Sequence, residues 1–173
     1  LYSCVDETNP DLANVLWTAT YPMDEFGDEH GFYSLQSSDA TSTTGITNTH
    51  GTHVAGIIAA EWNDKGISGV ANNVKIMSLR HGDDVASILA CFDYAKKAAD
   101  NDVSLVAINN SWGLNANTSN LVNVAVSELG KLGVVNVFAS GNDADNSDKI
   151  SDTPVTVANN PYAITVDAIT PYG

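Results

Sequence analysis

Apolar residues recur along this chain in two rhythms. Residues 74–79 (V-K-I-M-S-L), 103–108, 134–139 and 163–169 are short runs rich in β-branched side chains, and each predicts a strand. Residues 86–99 carry Ile88, Leu89, Phe92 and Ala95 at helical spacing. Residues 120–132 do the same with Leu121, Val124, Val126 and Leu129. A further apolar run, 54–60, follows a tight Gly turn and predicts a helix that starts near His50. Strands alternating with helices of this length predict an α/β fold: a mostly parallel sheet flanked by helices on both faces. In such sheets ligands bind at the carboxyl ends of strands. Asn109 to Gly113 and Ser140 to Asn142 both follow predicted strands, so both belong to that edge.

Between these elements lies one long irregular stretch, 18–49, with Gly27, Gly31, Gly45 and many Ser, Thr and acidic residues. It reads as loops with a short extended piece at 31–35. Its acidic residues Asp24, Glu25, Asp28 and Glu29 read as a solvated loop in preference to a cation site. With 173 residues, 43% of them hydrophobic, the chain can bury one sizeable core and reads as a single domain over 1–173. The formal charge of −14 argues against nucleic acid or an anionic membrane as partner. No apolar run approaches the roughly 20 residues that a membrane-spanning helix needs. Leu1 reads as lying in or just after a strand, so the natural N-terminus is expected upstream, and the lack of a signal peptide carries no weight. Cys4 and Cys91 form no disulfide framework and read as two buried free thiols.

The most specific chemistry sits at residues 50–56, H-G-T-H-V-A-G. A histidine on the first turn of a helix is held rigidly and stays open to a substrate on one side. Imidazoles titrate near neutral pH, which suits a general base. This heptad resembles the histidine motif of the subtilisin-like serine proteases, the subtilases. The resemblance makes His50 the general base and His53 structural. It extends through Val5-Asp6 and Asn9-Pro10-Asp11-Leu12, through residues 108–113 (I-N-N-S-W-G) and through residues 138–142 (F-A-S-G-N), in family order from Leu1 to about Thr170. It implies a subtilisin-like fold that is incomplete at its C-terminus: a single partial catalytic domain.

Two departures matter as much as the match. Counting back from Pro10-Asp11-Leu12, the family's Asp-Ser/Thr-Gly tripeptide falls on Tyr2, Ser3 and Cys4, so a tyrosine stands where the catalytic aspartate belongs. A tyrosine cannot orient an imidazole as an anionic carboxylate does. The family's nucleophile sits in a Gly-Thr-Ser-Met-Ala-like motif after the oxyanion asparagine, and no such motif occurs between Asn142 and Gly173. Ser147 and Ser151 lie in an acidic, loop-like stretch and are poor nucleophiles.

The resemblance assigns further roles. Asn142 would donate its side-chain amide to the oxyanion, although an asparagine after a Ser-Gly turn can also serve the turn alone. Ser111, Trp112 and Gly113 would pair with an extended peptide and wall the pocket beside the cleaved bond, and Trp112 reads equally as a core aromatic. A structural calcium site would take a side-chain oxygen from Asp11 and another from Asn63, with carbonyls of Glu61, Lys65 and Ile67. Hard oxygen ligands on a glycine-containing loop suit that ion. The implied activity is serine endopeptidase cleavage through an acyl-enzyme. The rival is an inactive pseudoprotease or peptide-binding module, which Tyr2 and the absent serine motif favour. Expected partners are a peptide or protein substrate, and either the missing C-terminal part of the domain or a second chain covering the apolar surface left open. The expected location is extracellular.

Overall fold

The computed structural model describes residues 5–34, 49–82, 84–113, 119–141, 157 and 160–170. The chain divides at Tyr94–Ala95 into two units. In the first, Val5, Leu12, Leu16 and Ala55 are buried together, with Val15 and Ile76 packed against them. Asn9 starts the turn that brings Leu12 inward. Its side-chain oxygen accepts the Asp11 N–H at 2.9 Å, and its carbonyl accepts the N–H of Leu12 and of Ala13 at 2.9 Å. This is the Asx geometry that asparagine supplies at turns.

Ala55 brings helix α1, Thr49–Ala59, onto that core. The buried side of α1 is made of Gly51, Ala55, Gly56 and Ala59, residues small enough for close backbone approach. Strand β1, Gly31–Tyr33, pairs in parallel with β2, Ser78–Arg80. Of the extended piece expected at 31–35, Gly31–Tyr33 is strand, and residue 35 lies outside the described residues. Strand β2 starts later than the 74–79 run suggests, because Ile76 is spent on an isolated bridge to Leu16.

Helix α2, Val85–Asp100, carries an N-terminal cap. The Ser87 N–H donates to the Asp84 carboxylate at 2.9 Å, and the Ser87 hydroxyl donates to the Asp84 carbonyl at 2.8 Å. Its buried side includes Ile88, Phe92 and Ala95, as the periodicity predicts, while Leu89 is half-buried. Cys91 is a buried free thiol whose Sγ lies 3.3 Å from the Arg80 carbonyl, and burial pushes its pKa up to about 12. A thiol so held is no nucleophile.

The second unit holds a parallel three-stranded sheet. Strand β3 is Ala107–Asn110, β4 is Val135–Ala139 and β5 is Ala163–Val166, in the order β3-β4-β5. Strand β3 begins after the predicted 103, because Val103 closes the end of α2 through a 3.0 Å bond from its N–H to the Ala98 carbonyl. Strand β5 stops at Val166, short of the predicted 169. Helix α3, Ser119–Lys131, buries Val122, Val126 and Leu129. The expected face was partly wrong, since Leu121 and Val124 point to solvent. A polar anchor sets the rotation: Asn160 Nδ2 donates to the Asn123 carbonyl at 2.9 Å and to Ser127 Oγ at 3.0 Å. On the sheet, Asn110, Asn136 and Phe138 are buried, and the Asn136 amide reaches the Val126 carbonyl of α3 at 3.4 Å. Alternation turns Val135, Ile164 and Val166 the other way, where all three are exposed. Parallel strands flanked by helices make this an α/β protein, as expected.

Candidate functional site

His50 lies on the first turn of α1 and is exposed. Two features fix its helix. Ala55, one turn on, is locked into the Val5–Leu12–Leu16 core. Thr52 Oγ1 accepts the Asp6 N–H at 2.9 Å, tying the Val5-Asp6 segment to the turn that carries the histidine. Sequence reasoning gave Thr52 no role. Its only signal was its place between two glycine- and histidine-bearing turns. His53 is also exposed. A rigidly seated, solvent-facing imidazole has the placement that a general base needs.

The second unit carries the edge expected to receive a peptide. Asn110 of β3 stands in register with Phe138 of β4, so the segments leaving both strands emerge side by side. Asn109 Nδ2 donates to Ser111 Oγ at 3.0 Å. Trp112 meets Phe138 edge-on, with ring centroids 5.7 Å apart. That contact places Trp112 on the core side of the strand end, though it remains half-buried. Gly113 is exposed, and a Cβ built there meets nothing within 4 Å among the described residues. Gly141 has φ +112, which only glycine adopts readily, and a Cβ there too meets nothing within 4 Å among the described residues. Ser140 is tied back by a 3.1 Å bond from its N–H to the Val166 carbonyl.

The loop after α1 closes around Asp11. The Glu61 N–H donates to the Asp11 carbonyl at 3.0 Å, and the Gly69 N–H returns to the Ala60 carbonyl at 2.9 Å. Asn63 Nδ2 lies 3.2 Å from Asp11 Oδ1 and 3.3 Å from Glu61 Oε2, while Asn63 Oδ1 accepts the Lys65 N–H at 3.0 Å. Asn14 Nδ2 also reaches Glu61 Oε2, at 3.3 Å. Gly66 has φ +50, and a Cβ on it would overlap Asp11 Oδ2. Ile67 packs toward Gly56 of α1. Asp11, Glu61, Asn63 and Lys65 are thus brought together. Among the described residues no three His, Cys, Asp or Glu side chains gather into a metal site, so any cation here depends on amide and carbonyl oxygens as well. The Glu61 carboxylate and Asn14 were not foreseen, because nothing in the sequence shows which way a loop carboxylate turns.

Asn142, Tyr2, Ser3, Cys4, Ser147 and Ser151 lie outside the described residues. His50 belongs to the first unit; Ser111, Trp112, Gly113 and Gly141 belong to the second.

Comparison with known proteins fits this geometry. The chain is 33% identical over 156 residues to Subtilisin-like protease 2 of Plasmodium falciparum, an alignment covering 84% of this chain and 11% of that protein. It is 40% identical over 105 residues to the Thermophilic serine proteinase of Bacillus sp. (strain AK1), covering 58% of this chain and 25% of the relative. It is 37% identical over 120 residues to the Minor extracellular protease Epr of Bacillus subtilis (strain 168), covering 66% and 17%. The chain therefore spans about a tenth to a quarter of the length of these relatives. The profile of the Subtilase family matches residues 3–173, nearly the whole chain, and together with the exposed His50 on its helix this makes the chain a member of the subtilase family.

Proposed function

We propose that the protein carrying this chain is a serine endopeptidase of the subtilase type, with His50 as general base. The observation that carries this reading is the seating of His50: exposed, on the first turn of a helix pinned to the core by Ala55 and to residue 6 by Thr52. A serine hydroxyl from further polypeptide attacks the substrate carbonyl carbon, and His50 takes the hydroxyl proton. The carbonyl oxygen becomes an oxyanion, which the Asn142 amide stabilises by donating a hydrogen bond. His50 then gives its proton to the leaving amine, and water repeats the sequence on the acyl-enzyme. Ser111 to Gly113 pair with the substrate backbone by strand addition. What supports this is that, among the described residues, nothing lies within 4 Å of a Cβ built on Gly113.

Calcium belongs to this proposal as a structural ion. The residues present fit it: Gly66 forms a cradle against the Asp11 carboxylate that any side chain would fill, and the surrounding donors are hard oxygens. Asp11 and Asn63 would hold the ion through side-chain oxygens, and Glu61, Lys65 and Ile67 through carbonyls. Bound calcium would fix the loop against α1. The exposed row Val135, Ile164 and Val166 supports a covering polypeptide, either the rest of the same domain or a second chain. No helix among the described residues is long and apolar enough to cross a membrane. One relative is named an extracellular protease, and secretion is the location proposed here.

A second reading rests on Tyr2. With a tyrosine in the aspartate position, the protein becomes a pseudoprotease that keeps the peptide edge and loses turnover. Fluorophosphonate labelling of the native preparation, read by intact mass on every polypeptide present, separates the two. Label on a serine-bearing polypeptide supports the enzyme. No label on such a polypeptide supports the pseudoprotease.

A further inference from the structure

The resemblance enlists Glu61 only through its main-chain carbonyl, but the structure gives its side chain a place of its own. Glu61 Oε2 and Asp11 Oδ1 converge on a single atom, Asn63 Nδ2, at 3.3 and 3.2 Å. These residues come from separate parts of the chain, brought together by the loop that wraps Asp11. The Glu61 N–H bond to the Asp11 carbonyl fixes the Glu61 main chain in place. Asn14 Nδ2 donates to the same Glu61 oxygen, Oε2, at 3.3 Å. We infer that the Glu61 carboxylate is itself a calcium ligand, so that this loop binds the ion with two carboxylates, Asp11 and Glu61, together with the Asn63 amide oxygen.

The inference rests on the calcium reading above and adds to it. Two carboxylates converging on one amide nitrogen carry two negative charges, which a divalent cation would match. Oxygens bound at about 2.3–2.6 Å to one ion and lying at right angles are about 3.3–3.7 Å apart. The amide tip of Asn63 stands close to that spacing from each carboxylate oxygen. Turning the amide end-for-end brings its oxygen to the same point and releases the Lys65 N–H that the oxygen now accepts. Ligand charge count tunes calcium affinity, so a second carboxylate makes this loop a tighter site than one carboxylate with neutral oxygens.

Trp62 supplies the assay. It stands between Glu61 and Asn63 in the chain, is exposed, and donates its indole N–H to the Gly69 carbonyl at 2.8 Å. Terbium bound at the loop should emit when this indole is excited. The purified chain is titrated with terbium, the terbium is displaced with calcium, and melting is followed with and without calcium for the wild type, Asp11→Asn, Glu61→Gln and Glu61→Ala. Expected are sensitised emission and a calcium-dependent rise in Tm for the wild type, and loss of both in Asp11→Asn. Both Glu61 variants should weaken calcium about tenfold or more while their calcium-free melting stays near the wild type. If they bind calcium as tightly as the wild type while Asp11→Asn does not, Glu61 is not a ligand and the inference falls alone. If the wild type shows neither emission nor a calcium shift, the calcium reading falls and takes the inference with it.

Discussion

Gly130 in α3 is the position where two opposing effects are most plainly weighed. Replacing a helical glycine with alanine ordinarily stabilises by about 1 kcal/mol, because the unfolded chain loses freedom and the helix gains a good former. Here the added Cβ would sit 2.5 Å from Tyr162 Cδ1 and overlap Tyr162 Cβ and Cγ. Carbon atoms pack at about 3.5–4.0 Å, so Tyr162 must retreat by about 1 Å or more. Its ring is partly exposed and can swing, but its Cβ cannot follow. The Tyr162 N–H is held by Asn160 Oδ1 at 2.9 Å, Asn160 is bonded to Asn123 and Ser127, and the next residue opens β5 in register with Asn136. Overpacking costs about 1–3 kcal/mol, and this anchoring puts the site in the upper half of that range. Subtracting the propensity gain leaves Gly130→Ala destabilised by about 1–2 kcal/mol. Urea unfolding followed by circular dichroism reads the difference as a lower midpoint at unchanged slope. The double variant with Tyr162→Gly removes the clashing atoms and should show favourable coupling of similar size. A Gly130→Ala chain as stable as the wild type, or more so, would refute the packing of Tyr162 against α3.

Three further outcomes follow from the same structure. Thr52→Val removes the acceptor of the Asp6 N–H and should lower stability by about 1 kcal/mol in the same urea experiment, loosening the segment beside the His50 turn. Gly113→Ala, where a Cβ meets nothing among the described residues, should leave the urea midpoint within about 0.5 kcal/mol of the wild type, yet weaken the binding of an extended peptide followed by Trp112 fluorescence. Acid unfolding should depend on Asp84. The Ser87 N–H donated to its carboxylate holds the Asp84 pKa below the ordinary value, so its contribution is full above about pH 4 and lost as pH falls through the lowered folded value. Asp84→Asn, which still caps the helix, should flatten that limb of a stability–pH curve and change little at neutral pH.

The elements legible in the sequence were those whose pattern is local. A helix over 86–99 and a strand over 134–139 came out nearly as read, because β-branched runs and helical spacing act within a few residues. The face of α3 did not, because Leu121 and Val124 are as apolar as Val122 and Val126 and only a distant anchor chooses between them. That anchor is Asn160, some 37 residues from Asn123, and no periodicity announces it. The start of β3 failed for a similar reason: Val103 looks like strand but is used to close α2. In the site, His50 was legible because the heptad places it on a helix start. The gathering of Asn63 and Glu61 at Asp11, with Asn14 bonded to Glu61, was half legible, since composition shows the oxygens but not the direction of a side chain.

On the proposed reading, Tyr2 would bear on rate far more than on binding, and this decides how the labelling experiment is read. In subtilisin, a member of the same family, losing the serine or the histidine costs roughly 10⁶-fold in kcat and losing the aspartate alone roughly 10⁴-fold. Removing one oxyanion donor in subtilisin costs roughly 10²–10³-fold. These magnitudes belong to subtilisin itself, and it is their order that carries over. On the proposed reading, a tyrosine in the aspartate position therefore predicts a slowed enzyme when a serine is supplied, because the residues proposed as base, oxyanion donor and peptide edge are all present: His50, Asn142 and Ser111 to Gly113. Peptide affinity cannot tell such an enzyme from a pseudoprotease, since both would keep the proposed peptide edge at Ser111 to Gly113. Only the rate of covalent labelling can. A slow reaction that goes to completion at the serine means that His50 still works as a base without its carboxylate. A serine that stays unlabelled however long it is exposed means that the histidine has been kept for its place in the helix and no longer for its chemistry.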